Sequence, residues 1–155
     1  MGKADNERSR KNERGATLVE FSIAATVFLI AMFVVLEFGR ALWVHNALTD
    51  AARRGARYAA LHRASDIADV KRVVVYGDPA GGTDPVVNNL DIPNVAVSYS
   101  DGTAPPDPPF GLDTGTVSVS ITNYQFQFVL PIGPTSIQMP NYTTTLTGES
   151  AGLLP

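Results

Sequence analysis

The chain has 155 residues, enough for one modest domain, with 45% apolar content and a formal net charge of −3. Every Lys and Arg lies before Val73, whereas seven acidic residues follow it, so the C-terminal half lacks the cations that phosphate binding needs and a nucleic-acid partner is excluded there. Cysteine is absent, which removes disulfides, thiolate metal sites and cysteine nucleophiles, and leaves compartment unread from cysteine.

Residues 1–14 carry five basic and three acidic side chains. Then comes "RGATLVEF", and behind its glutamate the run Phe21 to Leu36 holds sixteen residues without a formal charge. Taken from Ala16 the run is twenty-one residues interrupted only by Glu20, against the ~20 a helix needs to cross a bilayer core. A buried core helix would show a polar face, but Ser22 and Thr26 are the only polar side chains from Phe21 to Leu36. No small-x-small cleavage site follows Leu36, so the span reads as retained rather than as a cleaved secretory signal. Five cations precede it and three (Arg40, Arg53, Arg54) lie in the eighteen residues after it, which places the N-terminus inside and the bulk of the chain outside the cytoplasm.

All eleven prolines lie at Pro79 or later, so the first half is free to be helical and the second is not mainly so. Past the span, Ala41, Val44, Leu48, Ala51, Ala52, Gly55 and Ala59 recur at three- and four-residue steps, with Arg53, Arg54 and Arg57 on the other side. The helix is expected to reach about Leu61, 46 residues or roughly 69 Å at 1.5 Å per residue, of which half stands in water. Its small-residue face should meet the downstream sheet. Ser65 is a candidate cap for a second helix, "DIADVKRVVVY", although Val73 to Tyr76 reads equally as a strand. "GDPAGGTDP" reads as loop. "VAVSY" and "TVSVSIT" alternate with period two on either side of a proline-rich linker, and in "NYQFQFVL" the apolar set moves from odd to even positions, which requires a break at Thr122 and Asn123. "PIGPTSIQMP" reads as a turn region and "YTTTLTGES" as a last strand. The expected fold class is α+β: a long helix, half membrane-spanning and half amphipathic, on a small, mostly antiparallel sheet of three or four strands. The expected segments are a leader at 1–15, a span at 16–36, an extracytoplasmic helix at 37–64 and a small α+β domain at 65–155.

"RGATLVEF" followed by a long apolar helix resembles the type IV pilin-like processing site, and "EFGRALWVHNALTDAARRGARYAA" resembles the TadE-like proteins of the tight-adherence (Flp) pilus system. Over residues 14–60 the resemblance rests on motif; beyond that it is architectural. It implies a minor pilin-like subunit for assembly or priming of such a pilus, cut by a prepilin peptidase between Gly15 and Ala16. Glu20 and Phe21 are then the assembly residues, Glu20 meeting the new α-amine of Ala16, in cis or on a neighbour. Implied partners are the peptidase, other pilin or pseudopilin subunits, the inner-membrane assembly platform and lipid. The alternatives are an uncleaved, signal-anchored extracytoplasmic binding protein and a pseudopilin of a secretion system.

Other residues give weaker signals. Glu37 and Arg40 are spaced to pair at the outer membrane interface, where Trp43 suits an anchor. Asp50 with Arg53 and Arg54 reads as surface pairing, and Arg53, Arg54, Arg57 and Arg63 as a solvated face, unless headgroups or an assembly partner meet it. His45 and His62, seventeen apart, lack the spacing of a metal pair. Asp78, Asp84, Asp91, Asp101, Asp107 and Asp113 fall in loops without a calcium-loop pattern, and Asn141 begins an N-x-T acceptor pattern. No nucleophile elbow, P-loop or H-E-x-x-H motif is present, so neither enzyme activity nor a cofactor is expected.

Overall fold

The computed structural model describes residues 3–62, 66–100, 115–129 and 135–147, with side chains from residue 15 on. Contacts divide the chain into two compact units, 1–40 and 41–155. Helix α1 (Lys3–Leu61) contributes to both.

In the first unit the helix is apolar all round from Phe21 to Leu36. Leu18, Phe21, Val27, Phe28, Val35 and Phe38 are each more than 60% exposed, and the most apolar window of the span has none of its residues buried. A soluble core helix would bury such residues, because each fully covered Leu, Val or Phe is worth roughly 1.5–3 kcal/mol. The two hydroxyls in the run are satisfied without solvent: Ser22 Oγ donates to Leu18 O and Thr26 Oγ1 to Ser22 O, both at 2.8 Å. This one helix is long and apolar enough to cross a membrane.

In the second unit the same helix changes character. Val44, Leu48, Ala51, Ala52, Ala56, Ala59 and Ala60 are buried, while Arg53 and Arg57 are exposed, as the three- and four-residue steps predict. The alanines and Gly55 let neighbours come close. A Cβ added at Gly55 would run into Val74 Cγ2 and stand 3.3 Å from Val119 Cγ1, so α1 touches both the second helix and the sheet through a bare backbone.

Helix α2 (Ile67–Tyr76) resolves the ambiguity at 73–76 in favour of helix, with Val70, Val73, Val74 and Val75 buried. Asp66 occupies the N-cap position; Ser65 lies outside the described residues. The helix ends at Gly77, left-handed at φ 79°, whose N–H donates to Val73 O at 3.0 Å, a termination only glycine makes without strain. The expected loop folds back on it, Val86 N–H reaching Val75 O at 2.8 Å.

The strands are β1 (Val95–Tyr99), β2 (Thr116–Ile121), β3 (Gln125–Gln127), β4 (Ser136–Gln138) and β5 (Tyr142–Thr147). They form a three-stranded antiparallel sheet, β1-β2-β5, and a separate β3-β4 hairpin. On the inner face of the larger sheet, Val95, Ile121 and Tyr142 lie in one row, Val97, Val119 and Thr144 in the next, and Tyr99, Val117 and Leu146 in the third. The other face carries Ser98, Ser118 and Thr145, the last two joined by a 3.2 Å hydrogen bond.

The odd-to-even shift falls where expected. Asn123 takes φ 57°, a left-handed break, after which Tyr124 and Phe126 are buried. The expected α+β class stands: β1-β2-β5 is the small antiparallel sheet of three strands, and beyond the break at Asn123 the chain adds a separate two-stranded hairpin. One expectation needs correction. Within "PIGPTSIQMP", residues 131–134 lie outside the described residues, but Ser136–Gln138 is strand β4 rather than turn, with Ile137 opposite Phe126. The linker at 101–114 and the chain from 148 on also lie outside the described residues.

Gly55→Leu should lower the stability of the full chain in detergent by about 1–3 kcal/mol, the usual cost of overpacking a filled core. Urea midpoints of the two proteins measure it; an unchanged midpoint would refute the close contact.

Candidate functional site

The residues singled out for processing and assembly lie on one helix in the first unit. Gly15 and Ala16 are inside α1, so the bond between them is helical. A Cβ at Gly15 would meet nothing within 4 Å, so no packing within the described residues calls for glycine there. Glu20 and Phe21 are both exposed, Phe21 at 69%. No hydrogen bond or ion pair among the described residues engages the Glu20 carboxylate, in contrast to the hydroxyls of Ser22 and Thr26 two and six positions on. The Glu20 carboxylate is thus a polar group on the apolar surface without a partner among the described residues.

Glu37 and Arg40 do come together: Arg40 Nη2 donates to Glu37 Oε2 at 2.8 Å, part-buried and three residues apart on the helix. In the second unit, Trp43 is 59% exposed, as an interfacial anchor requires. Asp50 pairs with Arg54 and not with Arg53. Asp78, Asp84 and Asp91 are exposed, as is Asn141 ahead of β5; Arg63, Asp101, Asp107 and Asp113 lie outside the described residues. Among the described residues, no three of His, Asp or Glu gather as metal ligands would.

Each histidine has a structural task that spacing along the chain does not reveal. His45 Nδ1 and the Tyr142 hydroxyl are 2.9 Å apart with the rings edge to face, 5.2 Å between centroids, which fastens the start of β5 to α1. His62 stacks on Tyr58 at 3.7 Å, and its Nδ1–H donates to Tyr58 O at 2.9 Å, satisfying a carbonyl that the end of α1 leaves open. The carbonyl accepts only, so the proton must sit on Nδ1. No local motif signals a contact between residues 45 and 142; it follows from the sheet register. Tyr99 differs from Tyr142, its buried hydroxyl finding no partner among the described residues.

Burial pushes the phenol of Tyr142 above its ordinary value of 10.0. Burial first, and then Asp66, does the same for Tyr99; burial, Asp69 and Asp66 outweigh the opposing Arg72 at Tyr58.

Residues 15–57 match the family model of TadE-like protein. No curated protein and no solved structure matches the chain. The matched segment covers Gly15, Glu20, the Glu37–Arg40 pair and the small-residue face as far as Arg57, and the sheet lies beyond it. The matched segment holds the helix that is long and apolar enough to fit a single-pass membrane anchor.

Two measurements check this account. Tyr142→Phe should cost about 0.5–1.5 kcal/mol by losing a made hydrogen bond, while Tyr99→Phe should be neutral or stabilising because it removes a buried unmade one; equal losses would contradict the assignment. Since the folded chain keeps all three phenols protonated to higher pH, the unfolded chain releases those protons first, so stability is complete below about pH 10 and declines above it. Urea midpoints at about pH 9 and about pH 11 should show the decline, and Tyr142→Phe should lessen it.

Proposed function

We propose that this chain, TadE-like over residues 15–57, is a minor pilin-like subunit that serves in assembling or priming a tight-adherence pilus. Residues 16–36 hold it in the inner membrane, the N-terminus is cytoplasmic, and the domain that follows is extracytoplasmic. A prepilin peptidase cuts after Gly15, and Ala16 becomes the first residue of the mature helix. The subunit does no chemistry itself; its partners are the peptidase, other pilin or pseudopilin subunits, the assembly platform and lipid.

The observation that carries this reading is Glu20, the carboxylate that the described residues leave without a partner on an otherwise exposed apolar helix. An ionised carboxylate within a bilayer costs ~2.5–3.5 kcal/mol near the centre on insertion scales, less toward an interface, and such residues ordinarily face a partner. Cleavage supplies one. The new ammonium of Ala16 sits at a helix N-terminus, where the macrodipole disfavours positive charge, so a carboxylate relieves both groups. Ala16 and Glu20 of one helix are a turn apart; pairing between neighbouring subunits instead makes the same contact a register for docking.

Gly15 supports the peptidase step for a separate reason. Proteases act on extended backbone, and the bond after Gly15 is helical, so the helix must open locally. Glycine lowers that cost by about 1 kcal/mol relative to alanine and lets an enzyme approach the backbone without a Cβ in its way. Packing among the described residues makes no use of the missing Cβ, which supports a role for the glycine in the peptidase step.

Intact-mass measurement of membrane-extracted protein should find the mature chain beginning at Ala16 in cells with an active prepilin peptidase, and the full chain when Gly15 is replaced by Val. Retention of residues 1–15 in the unsubstituted protein would favour the uncleaved signal-anchor reading instead.

A further inference from the structure

The second unit carries two charged surfaces that do not satisfy each other. Arg53 and Arg57 are exposed one turn apart on α1, and like charges at that spacing disfavour each other. The nearest carboxylate on the helix, Asp50, is taken by Arg54, and no anion among the described residues reaches the other two. Their helix is fixed from behind by buried Ala52, Ala56, Ala59 and Ala60, so the guanidinium stems start from a rigid base.

The acidic side lies on the connection between α2 and β1, which carries three exposed aspartates and is touched by one cation, Arg72 of α2. Asp78, Asp84 and Asp91 are exposed there, in a stretch of sequence with no Lys or Arg from Val73 onward. Their known bonds are local and neutral: Asp78 Oδ1 accepts from Ala80 N–H at 2.7 Å, and Asp84 Oδ2 from the Thr83 hydroxyl at 3.1 Å. The connection is ordered, with Val87 and Leu90 buried and Pro79 O held by Arg72 Nη1 at 2.8 Å.

We propose that the Arg53–Arg57 face of α1 docks on the Asp78–Asp84–Asp91 connection of a second copy of this chain. Two complementary surfaces on different parts of one molecule make a heterologous contact, in which each copy gives one face and receives the other. Guanidinium forks suit carboxylates because two N–H groups align with two oxygens. Each exposed pair contributes little and is screened beyond ~10 Å at 0.1 M salt. The contact is therefore weak between free molecules and gains effect when both copies are held in one membrane at high effective concentration. Only that shared membrane is taken from the pilus reading.

The absence of native cysteine makes the test direct. Two full-length copies with different tags, one carrying Arg57→Cys and the other Asp84→Cys, are co-expressed and oxidised in native membranes. The mixed disulfide dimer should exceed that of either single-cysteine copy alone by about fivefold, the scale of a few exposed ion pairs. Arg53→Glu in the first copy should abolish the excess, and adding Asp78→Lys to the second should restore it. No excess, or an excess indifferent to both charge changes, would overturn the proposal; so would vesicle flotation in which Arg53 and Arg57 bind anionic lipid while mixed dimers stay at background. Mass measurement of the leader on the same samples separates the two ideas: processing without mixed dimers sinks the docking and spares the pilus reading, and mixed dimers on unprocessed chains do the reverse.

Discussion

One helix has to satisfy two surroundings, and what each half can bury decides the rest. From Ala41 on, α1 offers alanines and a glycine, and the chain closes over them: Gly55 comes so near Val74 and Val119 that a side chain would not fit. Before Arg40 the helix offers Leu, Ile, Val and Phe in every direction, and they remain exposed. Small residues suit close backbone approach; large ones on all sides suit a surrounding that is itself apolar. The change in residue size along α1 therefore separates the part folded by its own chain from the part that needs lipid or other helices.

The polar groups follow the same division. In the apolar half, Ser22 and Thr26 turn their hydroxyls back to carbonyls one turn earlier, the arrangement that costs least without water. Glu20 has no such recourse, because a carboxylate cannot donate to a carbonyl unless protonated. In the folded half, His45 with Tyr142 fastens β5 to α1, and His62 closes the last turn of α1 on itself. Among the described residues Glu20 is thus distinguished by what it lacks, and it lies within the segment, 15–57, that matches the TadE-like family model.

Much of the architecture was legible in the residues because it rests on periodicity. The step of three and four from Ala41 to Ala59 foretold the buried face, the alternation in 95–99 and 116–121 foretold two strands, and the change of parity at 122–123 foretold the left-handed Asn123. Strand β4 was not legible. It has three residues, its one large apolar side chain, Ile137, is 51% exposed, and prolines precede and follow it, so no alternation distinguishes it from a turn. The contact of His45 with Tyr142 was hidden for another reason: it joins residues 97 positions apart, and only the pairing of β5 with β2 brings them together. As for the site, Gly15 and Glu20 stood out in the sequence through the motif around them; among the described residues nothing packs against the first and nothing pairs with the second.

The central claim is that Glu20 must be a negative charge because a neighbour brings a positive one. Replacing it by Gln keeps size and polarity and removes only the charge, so subunit incorporation into pili, measured by quantitative immunoblotting of sheared filaments against membrane-retained protein, isolates that term. The account predicts a fall of about tenfold or more with leader removal intact, the scale of one charge-assisted hydrogen bond. Undiminished incorporation of the Gln variant would contradict it.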